Sequence, residues 1–169
     1  MDTIFQLEKT VEKAVTILSD LVAFQSLSRQ GNTDIIDYID TYLKDLGLST
    51  YRVAAKNGAG PHTRGEKSFN LFTTIGIQQN GGLLLSGHTD VVPAQAKSWS
   101  TDPFTLSLSD CSSPAGTERL YGRGTSDMKG FLACILAMVP VWMHNTHKRQ
   151  DTPLHLAFTY DEEVGCVGV

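Results

Sequence analysis

"SGHTDVVP", residues 86–93, is the stretch from which the rest of this chain can be read. His88 and Asp90 stand two positions apart, directly behind the apolar run Leu83–Leu84–Leu85. A short apolar run opened by Gly81 and Gly82 reads as a strand. Ligand and catalytic sites of α/β sheets gather where strands leave the core at their carboxyl ends. In an extended segment, positions i and i+2 share a face. Asp90 can therefore reach the edge of the His88 imidazole that does not face a ligand.

Working outward, residues 4–24 place Leu7, Val11, Ala14, Val15, Leu18 and Val22 at helical spacing. Residues 33–46 do the same with Ile35, Ile36, Ile39, Leu43 and Leu46, with Asn32 as the expected cap and Gly47 as the stop. A short strand is expected at 49–53, then a Gly-rich charged loop over 54–68. "NLFTTIGI" (70–77) and "GGLLLSG" (81–87) read as two strands joined by a polar turn. Residues 109–118 read as an elaborated turn between "FTLSLS" and "RLYGRG". A buried helix is expected from Met128 to about Asn145, kinked at Pro140. "PLHLAFTYDEE" ends the reading as a strand with Leu154, Leu156 and Phe158 on one face. Strands interleaved with helices predict an α/β fold, a mixed sheet flanked by helices.

The 169 residues suffice for one domain with a core, and 41 % hydrophobic against 19 % charged residues fits a globular chain. A net charge of −4 with no basic run argues against a nucleic-acid or anionic-membrane partner. The apolar stretch from Phe131 to Met143 is too short to span a bilayer. The N-terminus carries charge throughout and has no signal-peptide pattern, so a cytoplasmic location is expected. Cys111, Cys134 and Cys166 are widely spaced and form no CxxC pair, so they read as free thiols.

Three acidic clusters lie at strand or loop ends. His88 and Asp90 follow one strand, Asp127 lies in the Gly-rich "GRGTSDMKG", and Asp161, Glu162 and Glu163 end the last strand. Carboxylates brought together resist joint ionisation, and a divalent cation reverses that penalty. Histidine with carboxylates suits zinc. Glu162 and Glu163 are neighbours, so one can ligate while the other stays free as a base. A polarised water beside a free carboxylate is machinery for hydrolysing an amide.

Three motifs in this order, "LLLSGHTDVVP", "LYGRGTSDMKG" and "FTYDEEVG", resemble the M20 family of zinc metallopeptidases and deacylases. Trp99, "DPFTL" (102–106), "NLFTTIG" and the N-terminal helices fit the same pattern, so the resemblance covers nearly the whole chain. It implies that His88 ligates one zinc, Asp127 bridges two, Glu163 ligates the other, Glu162 is the general base, and Asp90 orients His88. It implies two Zn2+ ions, with Co2+ a possible substitute. The implied substrate is a small N-acyl amino acid, N2-acetyl-L-ornithine ahead of N-succinyl-diaminopimelate and other acyl amino acids, with carboxypeptidase activity a further alternative within the family.

The resemblance also implies that residues 1–169 are the N-terminal part of a catalytic domain. Two further ligands, a carboxylate and a late histidine, and a lid domain that makes a homodimer are then expected beyond Val169. An isolated 169-residue chain is expected to bind zinc weakly, turn over little, and leave apolar surface on its last strand and last helix. The competing expectation is a truncated, non-catalytic protein that keeps the fold and binds a metal or a full-length partner. Gly122, Gly124 and Gly130 are read as shaping the loop around Asp127, Trp99 and Phe104 as packing, and Cys166 as a thiol filling a small gap. His62, His144, His147 and His155 are read as surface or core histidines.

Overall fold

A computed structural model describes residues 3–55, 68–77, 81–108, 119–145 and 152–168. The expected loops over 54–68 and 109–118 fall almost entirely outside the described residues, as do Cys111, His62 and His147.

Helix α1 covers Thr3–Ala23 and α2 covers Thr33–Asp45, followed by strands β1 (Thr50–Ala54), β2 (Phe69–Ile75) and β3 (Leu83–His88). The two-residue strands β4 (Ser107–Leu108) and β5 (Leu120–Tyr121) pair antiparallel, and they flank the segment expected to be a turn. Helix α3 (Gly130–His144) and strand β6 (Leu154–Thr159) complete the order.

The main sheet runs β1-β2-β6-β3. β1 and β2 are antiparallel, as are β2 and β6, while β3 lies parallel to β6. β2 and β3 are therefore neighbours in sequence but not in the sheet, because β6 separates them. Parallel pairing of β3 and β6 sends both carboxyl ends to the same edge. That single topological fact positions the candidate site.

The core forms where three helices meet one face of this sheet. Leu71 and Ile75 of β2 and Leu154, Leu156 and Phe158 of β6 pack with Ile17, Leu21, Ile36, Ile39, Leu132 and Leu136. The alternation expected for β6 is present. Ala157 and Thr159 on its other face are buried too, because β6 is a central strand. The expectation of apolar surface on the last strand is thus corrected: within the main sheet it is β3, an edge strand, that exposes leucines, Leu83 and Leu84. The last helix does expose one large apolar side chain, Phe131.

Two further expectations change. On α1, Leu18 and Val22 are buried, but Leu7, Val11 and Val15 are exposed, because the first half of the stripe runs past the packed core. Asn32 stands at the N-cap position of α2 without capping it. Its amide instead spans strands: Oδ1 accepts from Phe69 N at 2.8 Å, and Nδ2 donates to Phe69 O at 2.9 Å and Thr89 Oγ1 at 3.0 Å. Gly47 does end α2. It takes φ +85°, and the N–H groups of Gly47 and Leu48 bond to Lys44 O and Leu43 O, the nested pair that closes a helix on glycine.

Helix α3 begins two residues later than expected and continues through Pro140. The run Thr125–His144 is apolar and long enough, by composition alone, to cross a bilayer. Its first five residues are a turn containing non-helical backbone, and α3 itself has 15 residues, or about 22 Å. Leu132, Leu136 and Val139 of α3 are buried in the core.

Candidate metal centre

β3 ends at His88, which lies beside Thr159 of β6. The Thr89 N–H and hydroxyl both bond to Thr159 O at 2.8 Å, extending the pairing one residue past the strand. Asp161, Glu162 and Glu163 follow β6 on the same edge.

The third corner is the turn from Gly122 to Gly130. Gly124 takes φ +81°, and a Cβ there would lie 2.7 Å from Val91 Cγ1, so only glycine lets the turn close against the loop after β3. The Lys129 N–H bonds to Gly124 O at 2.7 Å and closes the turn. Inside it Asp127 is extended, at φ −133° and ψ 98°, with a cis bond to Met128. The extended backbone at Asp127 turns its carboxylate off the helix axis to meet His88.

These elements bring the sequence-predicted side chains together. One ligand atom from each of His88, Asp127 and Glu163 lies within 4.8 Å of the other two. His88 Nε2 is 3.0 Å from Asp127 Oδ1 and 3.6 Å from Glu162 Oε2. His88 is buried, while the Asp127 side chain is 73 % exposed and that of Glu162 43 % exposed, so the cluster opens to solvent on its acidic side. Burial alone would lower the His88 pKa, but hydrogen bonds to the Asp90 and Asp127 carboxylates outweigh it and hold the ring up at about 9. Burial raises the Glu163 carboxyl above its ordinary value, and the Asp127 charge raises it further.

Asp90 does more than the sequence suggested. His88 Nδ1 lies 2.9 Å from the Asp90 backbone carbonyl and 3.5 Å from Oδ1, so the ring is oriented chiefly by main chain. The Asp90 carboxylate is buried and accepts the Glu162 N–H at 3.0 Å, the Glu163 N–H at 3.4 Å and the Ser28 hydroxyl at 2.8 Å. Burial works against its ionisation, but the His88, Ser28 and Glu162 hydrogen bonds hold its pKa below the usual value.

Asp161 is buried and turned away from the cluster, accepting the Arg29 N–H at 2.7 Å. Cys166 is exposed and so fills no gap; its thiol donates to Glu162 Oε1 at 3.7 Å. His155 is structural, bonded to Thr74 Oγ1 at 2.9 Å and Gly81 O at 2.8 Å, and His144 is exposed. The Arg123 guanidinium stacks over Trp99 at 5.2 Å, which accords with a packing role for that ring. Sequence reasoning missed Ser26, Ser28, Arg29 and Lys129. No spacing rule links Ser28 to a carboxylate 62 positions away. A lysine inside an apolar context, as in "SDMKGFLACIL", was the one available signal.

The geometry can now be compared with known proteins. Peptidase family M20/M25/M40 matches residues 84–169, just over half of the chain, including all three acidic corners. The chain belongs to this family. It is 36 % identical over 161 residues to an acetylornithine deacetylase of Edwardsiella ictaluri, covering 91 % of this chain and 37 % of that protein. An acetylornithine deacetylase of Shigella sonnei is also 36 % identical, over 158 residues, covering 94 % of this chain and 37 % of that protein. The chain thus spans little more than a third of the length of these relatives. Among solved structures, human carnosine dipeptidase 1 superposes with TM-score 0.67 and 25 % identity over 98 % of this chain and 35 % of that one. An M20 family metallo-carboxypeptidase from Sulfolobus solfataricus superposes with TM-score 0.63 and 22 % identity over 90 % of this chain and 32 % of that one, a likeness of fold.

The M20 donor set fits a divalent cation on chemical grounds. One imidazole and two carboxylates are the ligand types zinc takes, and the same acidic groups that hold a proton on His88 would favour a metal ion in its place.

Proposed function

We propose that this chain carries the metal-binding corner of a zinc-dependent amidohydrolase whose substrate is a small N-acyl amino acid, N2-acetyl-L-ornithine first among them. The observation that carries the reading is the convergence of His88, Asp127 and Glu163 at the shared carboxyl edge of β3 and β6. The substrate assignment is supported by 36 % identity to acetylornithine deacetylases.

In this reading His88 and Glu163 would each be a ligand of one of two zinc ions, with Asp127 as a further ligand. Bound zinc supplies a polarised water and a polarised acyl carbonyl. Glu162 stays free of the metal, takes a proton from the attacking water, and passes it to the nitrogen of the departing amine. The acyl C–N bond breaks, releasing acetate and ornithine, a step of arginine biosynthesis. Asp90 holds the His88 ring and the Glu162 and Glu163 main chain in one arrangement. The cytoplasm is the proposed location and a homodimer the proposed assembly, with neither nucleic acid nor membrane as partner.

Carnosine dipeptidase 1, at 25 % identity, favours a second reading in which a dipeptide is the substrate. The complete native polypeptide, loaded with zinc or cobalt, should be assayed on N2-acetyl-L-ornithine, N-succinyl-diaminopimelate, simple N-acetyl amino acids and a dipeptide. The highest kcat/KM is expected on acetylornithine. A dipeptide turned over faster would replace the first reading with the second.

A further inference from the structure

One segment, residues 21–29, from the end of α1 into the α1–α2 connection, touches all three corners of the candidate centre. Toward the turn that carries Asp127, the buried Lys129 Nζ donates to Leu21 O at 2.8 Å and Phe24 O at 2.6 Å. These are carbonyls at the C-terminal end of α1. Toward the loop after β3, Ser26 Oγ donates to Thr89 O at 2.6 Å, the Val91 N–H bonds to Ser26 O at 2.9 Å, and the Ser28 N–H bonds to Val91 O at 3.1 Å. The Ser28 hydroxyl then reaches the Asp90 carboxylate at 2.8 Å. Toward the loop after β6, Arg29 takes φ +67° and aims its N–H at Asp161 Oδ1, 2.7 Å away.

Each of the three loops already hangs from its own strand or helix. What this segment adds is a fixed distance between them. We propose that residues 21–29 are a positioning segment for the metal centre, acting through Ser28 on Asp90 and through Lys129 on the turn that carries Asp127. The proposal rests on the metal-centre reading above. Ser28 is the sharper handle, because its hydroxyl is the one side-chain O–H donor to Asp90 found among the described residues. Asp90 in turn holds the main chain of Glu162 and Glu163. Loss of the hydroxyl removes one of the three hydrogen-bond donors that fix the carboxylate, and removes no ligand.

The test compares wild type, Ser28→Ala, Ser28→Thr and Lys129→Met in the complete native polypeptide. Three quantities are read: cobalt(II) affinity with its visible absorption spectrum, the melting temperature without metal, and kcat and KM on N2-acetyl-L-ornithine. Loss of a partner that orients a metal ligand typically weakens metal affinity by about 10- to 100-fold. Ser28→Ala should lie toward the lower end of that range, with an altered cobalt spectrum, reduced kcat, near-constant KM and a metal-free melting temperature close to wild type. Ser28→Thr should restore all of these. Lys129→Met should weaken cobalt binding in the same direction; should it fail to fold, the Ser28 pair decides alone. Unchanged cobalt affinity and spectrum in Ser28→Ala overturn the proposal. So does a loss that follows the metal-free melting temperature and is not rescued by threonine. If wild type itself binds no cobalt, the metal-centre reading falls first, which separates the two failures.

Discussion

The Asp90 carboxylate accepts the backbone N–H of Glu162 at 3.0 Å, across a sequence gap of 72 residues. This bond joins the end of β3 to the loop after β6, and it holds the candidate base by its main chain, leaving the Glu162 side chain free. Asp90→Asn keeps the shape but replaces a charged acceptor with a neutral amide, one half of which repels the N–H groups it must receive. Metal affinity is expected to fall by about 10- to 100-fold, in line with other residues that orient metal ligands. Competition with a chromophoric chelator reads this directly. Wild-type affinity in Asp90→Asn would mean that the carboxylate only fills space.

Glu162 and Glu163 should separate cleanly. Glu162→Gln is expected to keep metal affinity near wild type and to lower kcat by roughly 10²- to 10⁴-fold, the range for a lost general acid–base group. Glu163→Gln should instead lose metal. Metal content and kcat measured on both variants decide, and the reverse pattern would exchange the two roles.

These neighbours also show what the sequence makes legible. The order of the acidic motifs and the apolar periods around them announced an α/β fold and named the side chains that meet at the centre. Periodicity could not reveal that β6 inserts between β2 and β3, because strand order depends on partners far apart in the chain. It could not reveal that α1 outruns its packing surface, since an amphipathic stripe records which face is apolar and not how far the neighbour extends. Asn32 read as a helix cap because its local context matched one. Its bonds to Phe69 and Thr89 are tertiary, and local patterns carry no record of them.

Asp40 ties α2 to β1 and gives the fold a pH dependence away from the centre. It is buried, and it accepts bonds from Thr50, Lys44 and the Arg52 guanidinium. Burial raises its pKa, but these bonds outweigh burial and hold it below the usual carboxylate value. The folded pKa therefore lies below the unfolded one, about 3.9. The stabilisation is fully present above that value and disappears as pH falls through the folded pKa. Asp40→Asn should cost roughly 1.5–3 kcal/mol near neutrality, the scale of hydrogen bonds to a charged group. Urea denaturation of both proteins as a function of pH should show the gap narrowing below about pH 4. A gap independent of pH would exclude the charge as its source.

Phe158 is fully buried at the centre of the sheet, between Leu71 of β2 and Gly87 of β3. Phe158→Ala should cost about 3–5 kcal/mol through lost burial and the cavity left behind. Because β6 delivers Glu162 and Glu163, the same change should loosen the centre. Denaturation together with cobalt titration tests both effects, and a large loss of stability with unchanged cobalt affinity would uncouple core from centre.

Gly124 offers the most local test. At φ +81° it pays no steric penalty, and a Cβ there would lie 2.7 Å from Val91 Cγ1. Gly124→Ala therefore strains the backbone and pushes the Asp127 turn away from the loop after β3. Positive φ at a non-glycine residue costs on the order of 1–3 kcal/mol. Part of that strain should be relieved by moving Asp127 away from His88. Cobalt affinity should thus fall more than metal-free stability does. The neighbouring change Val91→Ala, which removes the atom the new Cβ would strike, should recover part of the loss in the double variant. No recovery, with stability and affinity falling in step, would show that backbone strain at position 124 acts on the whole fold and not on the approach of Asp127 to His88.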